Sequence, residues 1–467
     1  MTDFSRIARP NFLYKIMHVY LGVALRFIYY RKFLTVGREN LPSDKKEGFL
    51  LICNHQNGLL DALNIIYAIE PREPVFLARG DIFENPTLAK ILRSLRILPA
   101  YRKRDVGVEN LDRNNAIFEQ SVQLIDDGVV VALFPEAGHQ THHYLGTFKK
   151  GFARIAFGYE EACNFARDLK IVPLGHHYCG YSGMWNDVLF TIGEPFTFSD
   201  LYDTYKEHPE RGRYLLTQRA RASVEKLMLD VREPDNYMAV EQLCQMYVPV
   251  WEKSNGQRRG SLKNNLAASQ RLNAALRCSD YGRQEAPADA ALSRSAAQQL
   301  IDKAVRYTAN LKELGVSDYV VERASTAGFI GRTLLWILLL PLFALSAVIN
   351  FVPHRLSVAI SQKVKDKMLV PSLQLGVGIF AFFVWYLILF ALVWIFSKKF
   401  WIALLALLLL PASMLAYHNL RMLSRRLVER LRKYRYKLGH NKLFSETQRL
   451  RRDIISGLDA LKLCLDL

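Results

Sequence analysis

The stretch Asn54-His55-Gln56-Asn57-Gly58-Leu59-Leu60-Asp61 sets one imidazole and one carboxylate six positions apart. That pairing suits general-base chemistry: an imidazole can take the proton of an attacking alcohol, and a carboxylate can fix its tautomer and stabilise the imidazolium. At about 100° per residue, the two would lie on different faces of one continuous helix. His55 is therefore expected in a loop ahead of the helix, with Asp61 reaching back and Gly58 supplying the freedom of the turn. A second candidate is Leu98-Pro99-Ala100-Tyr101-Arg102-Lys103-Arg104-Asp105, whose planar guanidinium forks suit a phosphate monoester and whose alternative is a solvated cationic patch. A third is Leu133-Phe134-Pro135-Glu136-Ala137-Gly138, an apolar strand delivering a carboxylate at its end, where open α/β sheets bind ligands. Ile171-Val172-Pro173-Leu174 is apolar and suits a wall of such a site.

The surrounding pattern supplies the elements these residues need. Short apolar or β-branched runs predict strands at Phe49 to Cys53, Pro74 to Ala78, Gly128 to Phe134, Ile171 to Leu174 and Val188 to Ile192. Amphipathic stretches between them, around Leu60 to Ile69, Leu88 to Leu95, Val108 to Ile125 and Gly151 to Ala166, complete an α/β domain over residues 41–200. Residues 1–40 are expected to form an interfacial helix region, because Phe12 to Phe33 mixes apolar residues with Lys15, Arg26, Arg31 and Lys32 and offers no cleavage site. Residues 201–327 are polar and helix-favouring, with linkers expected at Lys253 to Leu262 and Glu285 to Asp289.

Half of the 467 residues are hydrophobic, yet 62 Lys and Arg against 44 Asp and Glu leave a net charge of +18. The combination favours a membrane protein facing anionic headgroups over a nucleic-acid binder, for which no motif is present. Charge-free runs at Thr333 to Pro353, Leu369 to Ser397 and Phe400 to Tyr417 are long enough to cross a core of about 30 Å and define a membrane module over residues 328–420. A basic helical tail, residues 421–467, follows. Cys53, Cys163, Cys179, Cys244, Cys278 and Cys464 form no CxxC pair, so neither a disulfide framework nor a Cys-based zinc module is expected.

In their order along the chain the blocks resemble the glycerolipid acyltransferase family, which includes lysophosphatidic acid and glycerol-3-phosphate acyltransferases. The resemblance covers residues 36–195, from Val36-Gly37-Arg38-Glu39-Asn40-Leu41-Pro42 through Asn54-His55 and Asp61, Pro99 to Arg102 and Phe134-Pro135-Glu136 to Val172-Pro173 and Ile192-Gly193-Glu194-Pro195. It implies an α/β acyltransferase domain followed by a helical region and a C-terminal transmembrane helical module. It further implies that His55 is the base, Asp61 its partner, Arg102 a phosphate ligand and Glu136 part of the acceptor site. Arg104 and Lys149 are expected to help hold the acceptor phosphate, and Phe134, Pro135 and Gly138 to complete the substrate-binding set. No metal or cofactor is expected; acyl-CoA or acyl carrier protein would deliver the acyl group to a glycerol phosphate acceptor. Five residues separate His55 from Asp61 where the family box has four, a spacing similar to the fungal glycerol-3-phosphate acyltransferase branch.

Two other readings compete. His139-Gln140-Thr141-His142-His143 matches the HxxHH box of membrane di-iron lipid desaturases and hydroxylases, and His176-His177 adds a pair, but the chain has only eleven histidines and no second box. A non-catalytic membrane scaffold is the third reading, against which the intact His55 and Asp61 count. A cytosolic donor places the α/β domain in the cytoplasm, and the basic tail prefers the same side. Both ends inside require an even number of crossings, so Thr333 to Pro353, interrupted by Pro341 and followed by basic residues from His354 to Lys367, is expected to be bent, re-entrant or interfacial. The two later runs would then form a hairpin.

Overall fold

The computed structural model describes residues 12–100, 111–136, 138, 142–179, 185–232, 235–278, 288–322, 326–363 and 370–465. The chain divides into two compact units, Met1–Met228 with Ser361–Leu375 and Leu229–Ile360 with Gly376–Leu467.

The first unit is built on strands Tyr30–Val36 (β1), Phe49–Cys53 (β2), Pro74–Arg79 (β3), Ile97–Ala100 (β4), Val130–Leu133 (β5), Ile171–Tyr178 (β6) and Asn186–Ile192 (β7). They form a sheet in the order β1-β7-β6-β2-β5-β3-β4, parallel at every pairing except β6 against β7. β2, β5 and β6 are buried along their whole length, which explains their near-continuous apolar sequences: a parallel sheet covered on both faces leaves no polar side. Its helices are Phe12–Val23 (α1), Leu59–Ala68 (α2), Pro86–Ser94 (α3), Leu111–Asp126 (α4), Gly151–Ala162 (α5), Tyr202–Glu207 (α6) and Pro209–Glu225 (α7). The core joins Leu50, Ile52 and Val131 of the sheet to Phe152 and Phe157 of α5 and Leu216 and Val224 of α7.

The N-terminal helix ends earlier than its sequence predicts. α1 passes into a π-helical turn, Ala24–Tyr29, and then into β1, whose aromatic and β-branched residues pair with β7 at the edge of the sheet. α1 itself turns Tyr14 and Leu25 of the following turn inward and exposes Phe12, Ile16, Val19 and Val23, a stripe at helical spacing that continues to Phe27.

The remaining helices are Tyr237–Ser254 (α8), Leu262–Cys278 (α9), Ala288–Leu314 (α10), Asp318–Glu322 (α11), Thr326–Ser361 (α12), Val370–Ser397 (α13), Phe400–Leu438 (α14) and Lys442–Leu465 (α15), all in the second unit but for the last residue of α12 and the start of α13. Three helices, Gly328–Ser361, Leu373–Ser397 and Phe400–Leu438, are long and apolar enough to cross a membrane. The interruption expected at Pro341 is not there: α12 runs unbroken through Pro341 and Pro353 and takes in the following stretch from His354 to Ser361. A proline inside an apolar helix is tolerated where a neighbour satisfies the carbonyl it strands. Trp385 Nε1 of α13 does this for Pro353, donating at 2.8 Å to the Ile349 carbonyl one turn earlier. Asn350 joins the three helices, donating to Ser413 Oγ at 3.0 Å and accepting from the Tyr386 hydroxyl at 3.0 Å.

The segment before the first apolar helix is bonded to the basic C-terminal part of the third and to the helix that follows it. Ser317 Oγ donates to Glu429 at 2.5 Å, Arg451 pairs with Asp318 at 2.8 Å, and Arg432 donates to the Gly315 carbonyl at 2.7 Å.

Candidate active site

His55 and Asp61 are held at the carboxyl ends of β2, β5 and β6, three adjacent strands. β2 ends at Cys53, and Asn54 continues its pairing by side chain: Oδ1 accepts the His176 N–H at 2.7 Å and Nδ2 donates to the His176 carbonyl at 3.3 Å. The loop then turns at Gly58, whose φ of 53° and ψ of −130° are costly for any residue with a Cβ. Asp61 occupies the first turn of α2 and reaches back over that loop. Its Oδ2 accepts from His55 Nδ1 at 2.8 Å, from the Gln56 N–H at 2.7 Å and from the Asn57 N–H at 2.8 Å. A helix N-terminus favours a carboxylate at this position.

The Asp61 side chain is fully buried and that of His55 is 17 % exposed. Burial pushes the Asp61 carboxyl up, but His176, the His55 hydrogen bond and charge and the Asn57 N–H outweigh it and hold it down at about 2. His176 is pushed down to about 4, chiefly by burial, and stays neutral near pH 7. The Nδ1 of His55 thus faces an ionised carboxylate, the arrangement in which an imidazole can act as a general base.

The loop after β5 closes over this corner. Phe134 stacks on the His55 ring, centroids 4.1 Å apart and planes at 16°. Glu136 is buried, with Oε1 accepting the His55 N–H at 2.7 Å and Oε2 the Gly146 N–H at 2.8 Å. A Cβ at Gly146 would stand 2.7 Å from that oxygen, so a larger residue there would require the Glu136 carboxylate to shift. The carboxylate expected to touch an acceptor therefore ties the backbone of His55 to the returning loop. The Pro135 carbonyl accepts the Lys149 N–H at 2.8 Å, while Lys149 and Gly138 are exposed residues. Arg102 and Arg104 lie outside the described residues.

Sequence reasoning missed the far side of Asp61. Its Oδ1 accepts from the Tyr178 hydroxyl at 2.5 Å, and Asn64 Nδ2 donates to Tyr178 at 3.1 Å and to Tyr30 at 2.8 Å. The signal available was alternation: His176 and Tyr178 share one face of a strand, here the face that meets α2. His143, from the HxxHH stretch, is buried against β6, its Nε2 2.9 Å from the Tyr178 carbonyl and its ring stacked on His177 at 4.9 Å. His139 lies outside the described residues, and among the described residues no group of three or more His, Cys, Asp or Glu could hold a metal ion. Among the described residues, His142, His143, His176 and His177 therefore form no such group.

Residues 32–177 match the family model described as acyltransferase. A Mycoplasma pneumoniae protein named probable 1-acyl-sn-glycerol-3-phosphate acyltransferase is 31% identical over 145 residues, 30% of this chain and 50% of that protein. The 1-acyl-sn-glycerol-3-phosphate acyltransferase of Bacillus subtilis is 26% identical over 122 residues, 26% of this chain and 53% of that protein. The chain spans about half the length of these curated relatives. The matched segment begins within β1 and ends within β6, so it takes in the His55 corner, the loop after β5 and most of the sheet that positions them. The α/β domain of this chain thus carries an acyltransferase-family segment similar to those of two 1-acyl-sn-glycerol-3-phosphate acyltransferases.

Proposed function

We propose that the protein is a membrane-bound O-acyltransferase that moves a fatty acyl group from a thioester, acyl-CoA or acyl carrier protein, to glycerol-3-phosphate or 1-acylglycerol-3-phosphate in phospholipid synthesis. The observation that carries this reading is the 2.8 Å hydrogen bond from His55 Nδ1 to a buried, ionised Asp61, at the ligand-binding edge of a sheet that carries this acyltransferase-family segment. His55 Nε2 takes the acceptor's hydroxyl proton while that oxygen attacks the thioester carbonyl carbon. The tetrahedral intermediate collapses with loss of the C–S bond, and the imidazolium returns the proton to the departing thiolate. Arg102, Arg104 and Lys149 hold the acceptor phosphate, and Phe134, Pro135 and Gly138 line its seat.

The domain faces the cytoplasm, where such donors are made. The exposed stripe of α1, flanked by Lys15, Arg31 and Lys32, supports an interfacial helix against anionic headgroups, because a helix packed only on its own domain would turn a polar face to water. The bonds from Gly315–Asp318 to Glu429–Arg451 support one side for both segments, hence an even number of complete crossings by the three apolar helices. Single cysteines at Gln257→Cys and His440→Cys, in a background without native cysteine, should be labelled from the same face of sealed vesicles; labelling from opposite faces overturns that topology. For the reaction, purified full-length protein should move label from acyl-CoA or acyl carrier protein to one of the two acceptors, and His55→Ala should not. Wild-type protein that labels neither acceptor from either donor overturns the assignment.

A further inference from the structure

Away from the acyltransferase domain, three guanidinium groups converge on one tyrosine in the second unit. Tyr319 stands in α11, immediately before the first apolar helix. Arg332, in the second turn of α12, donates Nη1 to the Tyr319 hydroxyl at 3.3 Å, and Arg430 of α14 donates Nη2 to the same oxygen at 3.4 Å. Arg426, one turn before Arg430 and on the same helix face, sets its guanidinium carbon 5.0 Å from the Tyr319 ring centroid; that of Arg430 lies at 5.8 Å. Arg430 is only 5% exposed, and its Nε–H has no partner among the described residues.

Among the described residues, charge on this side is not balanced from within: none of the three arginines forms an ion pair with a carboxylate. Glu429, the nearest acid in sequence, is occupied by Ser317 Oγ and Arg425 Nε. Burial pushes the Tyr319 phenol up, but Arg332 and Arg430 outweigh it and draw it below its ordinary value, consistent with their positive charge beside the hydroxyl. A buried guanidinium without an anion is costly, and a planar fork beside two others is the arrangement that receives phosphate oxygens.

The level of the cluster along the helices indicates where that phosphate comes from. The charge-free run of α12 begins at Thr333, directly after Arg332, and Trp336 anchors it to Ser424 of α14 through Nε1 at 2.7 Å. Ile330, Leu334 and Leu335 on α12 and Val428 and Leu431 on α14, neighbours of the arginines in sequence, are exposed apolar residues. Cations rimmed by exposed apolar side chains match a headgroup with acyl chains beside it, not a small ion in water.

The geometry points to a binding site for a phosphate group, formed by Arg332, Arg426 and Arg430 around Tyr319 and filled by an anionic phospholipid headgroup. It is separate from the His55 corner in sequence and in the unit that carries it, and does not rest on the acyltransferase reading. Native mass spectrometry of the full-length protein in neutral detergent tests it with phosphatidylglycerol, with diacylglycerol of the same chains and with inorganic phosphate. One phosphatidylglycerol should be retained per chain in preference to diacylglycerol. The double variant Arg332→Gln with Arg426→Gln, which leaves the buried Arg430 in place and should keep the wild-type thermal midpoint, should weaken that retention at least tenfold. Millimolar inorganic phosphate should not displace the lipid; displacement, with phosphate itself retained, would overturn the lipid and leave a site for free phosphate. Equal phosphatidylglycerol retention by wild type and folded double variant, or equal retention of phosphatidylglycerol and diacylglycerol, overturns the site.

Discussion

The two polar centres of this chain, one around Asp61 and one around Tyr319, are opposite solutions to burying charge. Asp61 carries one negative charge met by four donors, His55 Nδ1, the Gln56 and Asn57 N–H groups and the Tyr178 hydroxyl, all within its own unit. Tyr319 is surrounded by Arg332, Arg426 and Arg430, and among the described residues no carboxylate pairs with them. A centre complete from its own residues is preorganised: its geometry does not wait for a ligand, which is what a base needs before a proton transfer. A centre with surplus charge is unfinished until something else completes it. The first arrangement suits catalysis and the second suits recognition.

The sharpest way to break the Asp61 side of that contrast is to remove its chemistry. His55→Ala should abolish acyl transfer, and Asp61→Asn should lower kcat by about 10⁴, by analogy with the buried aspartate of a serine-protease triad. Near-normal turnover in either folded variant, measured with labelled donor, would mean that this preorganised pair is structural only.

Glu136→Gln comes next, because an amide offers one acceptor oxygen where the carboxylate offers two to His55 N–H and Gly146 N–H. If Glu136 acts by holding the His55 loop, kcat should fall on the order of tenfold to a hundredfold with the acceptor KM little changed. A rise confined to the acceptor KM would return Glu136 to direct substrate contact.

Tyr178→Phe removes one of the four donors and leaves the other three. Loss of one hydrogen bond to a buried charge should cost about tenfold in kcat, while the bonds from His55, Gln56 and Asn57 keep the carboxylate in place. Full activity would show that three donors suffice, and a loss as large as that of Asp61→Asn would make the phenol an equal partner.

The smallest effect is on stability against pH. A carboxyl held at about 2 in the folded chain and near 4 in the unfolded one stabilises the fold above pH 4 and loses that contribution as pH falls towards 2. The amount is on the order of 2 kcal/mol. Thermal midpoints between pH 5 and pH 2 should therefore fall more steeply for wild type than for Asp61→Asn, and parallel curves would contradict an ionised, fully bonded Asp61.

Much of this was legible without coordinates because it is local or periodic. His55 and Asp61 are six residues apart, and only a loop-then-helix path with a permissive Gly58 brings them together, so their spacing carried their geometry. β2, β5 and β6 read as apolar runs because both their faces are covered, and the three long helices read as membrane segments because lipid demands apolar side chains all round. What stayed hidden depends on partners distant in the chain. The hydrogen bond of Tyr178 to Asp61 spans 117 residues, and Glu136 reaches His55 N–H across 81. Nothing in the composition of either segment specifies those encounters. The path of α12 through Pro341 and Pro353 was hidden for the same reason: proline breaks a helix by rule, and whether a stranded carbonyl finds another donor, as Ile349 finds Trp385, is decided by the helix packed beside it. Arg332, Arg426 and Arg430 are ordinary members of a basic sequence until tertiary structure gathers them around one phenol, because hydrogen bonds and charge act over ångströms while sequence records only order.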